Sequence, residues 1–396
     1  PILLASLNEP RKALEATLRQ LEDAKIIAFQ KFRDAYVLFD GSDFDIEAEL
    51  ALTLRKIGEA SLKTVSDAVA VSTVVAKRHY LETGSLRWCQ FIVCYESQVA
   101  QVLSEFTPSS SCFGVLVFSL EDGGEFDPTE ARTDIDYAIC RSAASKNLVA
   151  YARELEALNQ IASTNQELQR DKVARREVSD RVDAVAFFIE KEIWAILKFA
   201  TWQFSDETVE LSWAQLSARV SDLADARFHQ SPRIRNELLN RDKPSGNANA
   251  ALKLLAYRLL SHPSVENLGI EKYPAEKGLY LSIVKGSRLH TKDKTGWRIA
   301  GPKKDDESNL DALWSASRDF LREHSEGNVP LPELYELWEA PPFGVKRGLM
   351  PLFVLLFMLT EKNHLSFYRD GLFLTQITEV DVDYILRSPQ VIQLRW

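Results

Sequence analysis

One stretch constrains the fold more than any other. Cys112 to Leu120 is an almost uninterrupted apolar run, broken only by Gly114 and Ser119. An amphipathic helix shows polar gaps every three or four residues, and a half-solvated strand alternates. A run this short and this apolar suits a strand covered on both faces, as parallel strands are. Its neighbours agree. Leu86 to Tyr95 is strand-like, Glu96 to Phe106 reads as a helix with Val99, Val102, Leu103 and Phe106 on one side, and Ile135 to Cys140 is a third short apolar run. Strand, helix, strand is the pattern of a βαβ unit. A small open α/β core over 85–145 follows, preceded by a helix over 61–76, and together they make a subdomain of residues 61–145.

On either side the pattern is helical. Leu14, Leu18 and Leu21 recur at helical spacing after the start signal Asn8-Glu9-Pro10, and two short β runs follow around a polar turn. A helix followed by such a hairpin is the back half of a winged helix. Residues 1–60 are therefore expected to form a winged-helix-like unit truncated at its N-terminus, with Ser42-Asp43 capping a helix to about Ile57. Residues 146–204 read as a helical hairpin broken near Ser163-Thr164-Asn165, with Leu148, Leu155, Leu158 and Ile161 facing Val173, Val178, Val182, Phe187 and Ile193.

Residues 205–304 read as a basic helical or winged-helix-like unit. A capping box, Ser212 with Gln215, starts a helix to about Arg227. Further helices are expected over 234–240 and 248–260, with another opening at Pro274, and Trp297 to Ala300 is strand-like. In 308–396, helices at 310–322, 331–339 and 349–363 precede two apolar runs around Asp370-Gly371, a strong hairpin signal. That order predicts a C-terminal winged-helix-like unit. The expected fold class is mainly α with minor β, in several domains.

Charge is unevenly spread. The chain carries a net −9, yet residues 227–304 hold 16 Lys/Arg against 6 Asp/Glu, which leaves the remainder at −19. Such a step points to a surface that meets a polyanion, or to a basic face that pairs with an acidic neighbouring domain. The candidate phosphate-neutralising residues are Arg233, Arg235, Arg241, Lys243, Lys285, Arg288, Lys292, Lys294 and Arg298, with Trp297 as an aromatic able to stack on a base. The segment Lys292 to Arg298 reads as a wing tip. The hairpin at 365–374 is nearly uncharged and reads as a packing or protein-interaction element.

No motif for catalysis is present: no phosphate-binding loop, no glycine-rich dinucleotide loop, no HExxH helix and no GxSxG elbow. Cys89, Cys94, Cys112 and Cys140 lack metal-site spacing and read as buried thiols in a reducing compartment. No metal and no cofactor are expected. The acidic run Asp40 to Asp45 departs from a calcium loop and reads as helix capping, and His79 reads as structural. The most apolar stretch, 349–359, contains Pro351 and falls short of the roughly 20 residues a membrane helix needs. A cytoplasmic protein without a membrane partner is expected.

Several phrases occur together in order: Tyr36 to Asp43, Ala76 to Tyr80 with Glu82-Thr83-Gly84, Ile234 to Arg241, Gly269-Ile270 with Tyr273-Pro274, and Pro341 to Gly348. This series resembles the region downstream of the ATPase core in large bacterial P-loop NTPases, including BREX-type ATPases of phage defence. The resemblance implies a nucleotide-binding domain ahead of residue 1, which is then a cut within a longer chain, and a role here in sensing, coupling or binding nucleic acid. It carries over no ATP-binding residue. The function expected is a non-catalytic regulatory or recognition region that contacts DNA through 227–304, or a partner protein, or the rest of the parent chain. The alternatives are a protein-only scaffold docking through 146–200, and a nuclease-like enzyme using Glu96, Glu121, Asp122 and Asp134.

Overall fold

A computed structural model describes residues 10–24, 26–30, 35–38, 44–57, 73–121, 124, 126–127, 134–142, 145–205, 207–304 and 306–396. In chain order the elements begin with α1 (Arg11–Asp23), β1 (Ile27–Gln30), β2 (Ala35–Leu38) and α2 (Ile46–Lys56). Next come β3 (Thr73–Val75), α3 (Lys77–Thr83), β4 (Trp88–Tyr95), α4 (Val99–Glu105), β5 (Cys112–Leu120) and β6 (Asp136–Ser142). Three helices follow, α5 (Ser145–Thr164), α6 (Gln166–Arg170) and α7 (Lys172–Leu197), then β7 (Ala200–Phe204), β8 (Thr208–Leu211) and α8 (Trp213–Arg227).

The C-terminal half holds α9 (Gly246–Ser261), α10 (Ala275–Leu279, continued by a wider turn over Tyr280–Lys285), β9 (His290–Asp293) and β10 (Gly296–Ile299). It ends with α11 (Leu310–Glu323), β11 (Val329–Pro330), α12 (Leu331–Glu339), α13 (Met350–Thr360), β12 (Ser366–Arg369), β13 (Leu372–Leu374), α14 (Glu379–Arg387) and β14 (Ile392–Arg395). The class is mainly α with minor β.

The main sheet has six strands in the order β3-β4-β5-β6-β7-β8. β4, β5 and β6 are parallel, while β3, β7 and β8 add antiparallel strands at the two edges. This explains the apolar run that defines β5. Its Leu116, Phe118 and Leu120 belong to the core under the helices, and Val115 and Val117 belong to a second core on the opposite face, with Val99 and Leu103 of α4. Both faces are covered, so both sets must be apolar. The sheet extends beyond the expected 85–145 core because β7 returns the chain to the β6 edge. Thr73–Val75, expected within a helix over 61–76, is edge strand β3, and residues 61–72 lie outside the described residues.

On one face lie α5, α7 and α8. The inward stripe of α7 is Ala174, Val178, Arg181, Val185, Ile189, Ile193 and Leu197. The expected Val173 and Val182 flank this stripe, and Phe187 points away, 60% exposed. Val178 and Ile193 lie on the stripe as expected, whereas Phe187, two residues past Val185, is turned about 200° round the helix from it. Asn165 and Asp171 cap α6 and α7, each side chain accepting two backbone N–H groups. Arg181 is the one charged member of the stripe. It reaches Glu154 of α5 at 2.9 Å and Glu47 of α2, tying α2 to the hairpin. The cap of α2 is Asp45, which accepts from Ala48 N at 3.0 Å. Ser42-Asp43 lie outside the described residues.

Residues 234–394 share a single apolar cluster. It crosses the boundary expected at 304–308 and leaves α8 with the sheet. The second boundary of packing therefore falls between Phe228 and Ile234, the residues that close one cluster and open the other. α13 is apolar all round and runs through the middle, with Met350 and Leu352 to Met358 buried. Two buried tryptophans place their N–H groups on hydroxyls: Trp314 on Thr360 at 3.0 Å and Trp338 on Ser317 at 2.8 Å. The order α11-α12-α13-β12-β13 follows expectation, and β11 is an unexpected short strand before α12. The small sheet, however, runs β11-β14-β12-β13, with the last strand of the chain inserted between β11 and the hairpin. Asp370 (φ 50) and Gly371 (φ 76) form the two-residue turn between β12 and β13, both left-handed as a tight hairpin requires.

Candidate nucleic-acid interface and the polar joint behind it

The loop between α8 and α9 has two sides. Ser231, Ile234, Leu239 and Asn240 are buried, while Arg233, Arg235, Arg241 and Lys243 are exposed. The helix expected over 234–240 does not form, because the backbone is engaged elsewhere. Ile234 N donates to Thr83 O at 2.9 Å, across to the end of α3. Asn236 instead builds a local turn, its side-chain oxygen accepting from Leu238 N and Leu239 N. Asn236 Nδ2 also donates to Ser282 Oγ at 2.8 Å, which draws the loop alongside the segment carrying Lys285 and, three residues on, Arg288. Lys285 and Arg288 are exposed.

The β9–β10 hairpin supplies Lys292, Lys294, Trp297 and Arg298. Lys292 and Lys294 are exposed. Arg298 is partnered by Asp293 at 2.6 Å on its own hairpin. Trp297 is half-buried, and its ring lies 5.0 Å from that of His290, which is 2% exposed. His290 is fixed at both nitrogens. Nε2 donates to Pro263 O at 3.0 Å, so Nδ1 accepts from Tyr280 O–H at 2.8 Å. Trp297 therefore anchors the hairpin to the body, and its ring is not presented as a platform. Among the described residues, Arg233, Arg235, Lys243, Lys285, Arg288, Lys292 and Lys294 make no ion pair. A largely exposed aromatic that the sequence reading did not single out is Tyr273, 88% exposed, with Lys277 Nζ 4.9 Å from its ring centre.

Behind the loop lies a buried polar joint that sequence reading also missed. Arg87, at the start of β4, is fully buried. Its Nε donates to His79 Nε2 at 3.0 Å, one Nη to Ser110 O, and the other to Ser231 Oγ at 3.1 Å and Gly344 O at 2.8 Å. Its guanidinium lies 3.8 Å above the Phe228 ring. Lys346, 1% exposed, donates to the same Ser110 carbonyl at 2.8 Å and to Ser111 Oγ. Asp242 accepts from the Ser110 and Ser111 hydroxyls. Ser85 Oγ donates to Asn240 Oδ1 at 3.1 Å, and Asn240 Nδ2 donates to Ile234 O at 2.8 Å. Burial, and Arg87 beside it, push the Lys346 ammonium down to about 7.

His79 is held neutral by the same arrangement. Nε2 accepts from Arg87, so the ring proton is on Nδ1, which donates to Asp225 at 2.7 Å. Burial and the nearby Arg87 charge lower its pKa from 6.5 to about 4. Since the folded value lies below the unfolded one, the unfolded chain takes up the extra proton first. The contribution is complete above pH 6.5 and is lost as pH falls towards 4. A drop on the order of 3 kcal/mol is expected across that window. Urea midpoints measured at successive pH values check it, and the non-titrating His79→Gln should flatten the profile there.

The carboxylates proposed for a nuclease-like centre do not converge. Glu96 follows the C-terminal end of β4 and pairs with Arg141 at 2.5 Å, and Glu121 follows β5 and is exposed. Asp134 precedes β6, at the opposite end of the parallel strands, and Asp122 lies outside the described residues. Among the described residues no group of three or more His, Cys, Asp and Glu side chains is placed to hold a metal ion. Burial pushes the Cys140 thiol up to about 12 and Cys89 well above its ordinary value, so neither supplies a thiolate at neutral pH. No described helix is long and apolar enough to cross a membrane. Comparison with protein-family models, curated proteins and solved structures found no match.

Proposed function

We propose that the chain is a recognition region without chemistry of its own, and that it meets the phosphate backbone of nucleic acid through the 233–243 loop, the Lys285–Arg288 turn and the β9–β10 hairpin. The observation that carries this reading is the set of exposed cations with no ion pair among the described residues. A cation already neutralised by a neighbour gains little from a phosphate, whereas an unpaired one releases the phosphate's counterions. Arg298, paired with Asp293, is therefore the weakest member of the set. Trp297 supports the hairpin instead of stacking on a base, so contact through this surface reads backbone and not sequence.

Within the C-terminal core, the helices followed by a hairpin over 246–299 and over 310–374 are read as winged-helix-like modules. The resemblance to regions that follow the ATPase core of bacterial P-loop NTPases, including BREX-type ATPases, makes a cytoplasmic recognition arm of such an enzyme the parent we favour. A protein-only role through the helical hairpin is the second reading, favoured by Phe187 and Phe199, which are 60% and 68% exposed.

The test is charge reversal. Arg235→Glu, Lys243→Glu and Lys285→Glu combined are expected to weaken low-salt binding of a DNA duplex by on the order of a hundredfold or more. Lys191→Glu, exposed on α7 and outside these three segments, should leave it unchanged. Equal binding by the triple variant would sink the assignment of this surface.

A further inference from the structure

The joint around Arg87 has the makeup of a moving part. Among the described residues the two large apolar cores do not merge: one ends at Phe228 and the other begins at Ile234. The described backbone passes from one core to the other once, through the start of the 231–243 loop. What lies between them is largely polar, the Phe228 ring against Gly344 being an apolar exception. Arg87, Ser85, Ser110 and Ser111 on the sheet side face Ser231, Asn240, Asp242, Gly344 O and Lys346 on the other.

The energetics of such a plane differ from those of a core. On parting, its hydrogen bonds re-form with water at a modest net cost each. Two buried cations, Arg87 and Lys346, donate to one carbonyl, and Asp242 is held by serine hydroxyls with no ion pair to either cation among the described residues. Hydrating those charges on opening offsets part of the lost bonding. A single connection and separately closed cores are the conditions under which two bodies swing as rigid units.

We propose that this plane is a hinge: the sheet unit and the C-terminal unit part from each other while each core stays folded, with the loop from Ser231 to Lys243 as the strap and the Lys346–Ser110/Ser111 contact as the latch. Opening is a sub-global event that lies below the unfolding of either core.

Native-state hydrogen exchange on the full chain tests it without any ligand. The Ile234 amide, bonded to Thr83 O across the plane, is compared with Leu116 in β5 and Val354 in α13. Ile234 is expected to exchange through an opening of lower free energy and weaker urea dependence than the two core amides. Asn240→Ala, which removes the partner of Ser85 and of the Ile234 carbonyl, should speed Ile234 exchange about tenfold and leave Leu116 and Val354 unchanged. Should Asn240→Ala fail to fold, Ser85→Ala removes one of the same bonds. If the wild-type Ile234 amide exchanges with the free energy and urea dependence of the core amides, the plane opens only on global unfolding and the hinge is refuted.

Discussion

Arg87→Ala is expected to lower stability by about 3–5 kcal/mol, the range for breaking a buried charged network from one side. The guanidinium satisfies His79 Nε2, Ser110 O, Ser231 Oγ and Gly344 O, and it covers the Phe228 ring. Truncation leaves the Gly344 carbonyl and the His79 nitrogen without these donors and opens a cavity beside Phe228. Each unsatisfied buried group costs about 1–3 kcal/mol. Lys346 still reaches the Ser110 carbonyl, which limits the loss. Urea denaturation measures it. A change below about 1 kcal/mol would mean that water replaces the guanidinium at no penalty, and that the joint is far wetter than its burial implies.

A second large effect is expected at Gly84. This residue ends α3 with φ +75, and a Cβ there would lie 2.2 Å from Ile234 O and 2.9 Å from its carbonyl carbon. Both contacts are with backbone, so neither can rotate away. Gly84→Ala should combine left-handed strain of about 1–2 kcal/mol with a further 1–3 kcal/mol, roughly, of overpacking. Gly371→Ala is the matched control. Its φ is +76, but nothing lies within 4 Å of a Cβ, so only the strain remains. Equal losses at the two glycines, read from urea midpoints, would show that the 231–243 loop yields freely to the end of α3.

Where structure is decided locally, the sequence was readable. The Ser212–Gln215 capping box forms as its spacing implies, and Asp370-Gly371 makes the tight turn. The apolar run at β5 announced two covered faces. Where the partner is distant, the signal was absent or misleading. Arg87 reads as the polar lead into a strand, yet its contacts come from residues 79, 110, 231 and 344. Ile234 to Asn240 has acceptable helix composition, but the Ile234 carbonyl accepts from Asn236 N and Asn240 Nδ2, and Leu238 N, the donor a helix would give it, goes to the Asn236 side chain. Trp297 among lysines resembles a stacking platform until His290 is placed against it. The alternation of Ala200, Trp202 and Phe204, buried in turn along β7, was present in the sequence and hidden by the long helix it follows.

The polar segment 301–307 sits between elements of one apolar cluster. Gly301 to Glu307 is polar and rich in charge, which is the composition of a linker. It joins helices that pack into one cluster, Leu255 and Leu259 of α9 sharing it with Trp314 of α11 and Phe353 of α13. Composition marks a connection at the surface and does not reveal whether the elements on either side share a core.

The most direct measurement is the salt dependence of duplex binding. For a duplex of about 20 base pairs, titrated from about 50 to about 300 mM monovalent salt, the logarithm of the association constant should fall linearly with the logarithm of salt. Each phosphate neutralised contributes about −0.9 to the slope. Engagement of the loop, the turn and the hairpin together predicts a slope of about −4 or steeper, shallower by close to 1 when Lys243 becomes alanine. No binding at about 50 mM salt, or an affinity indifferent to salt, would contradict the account.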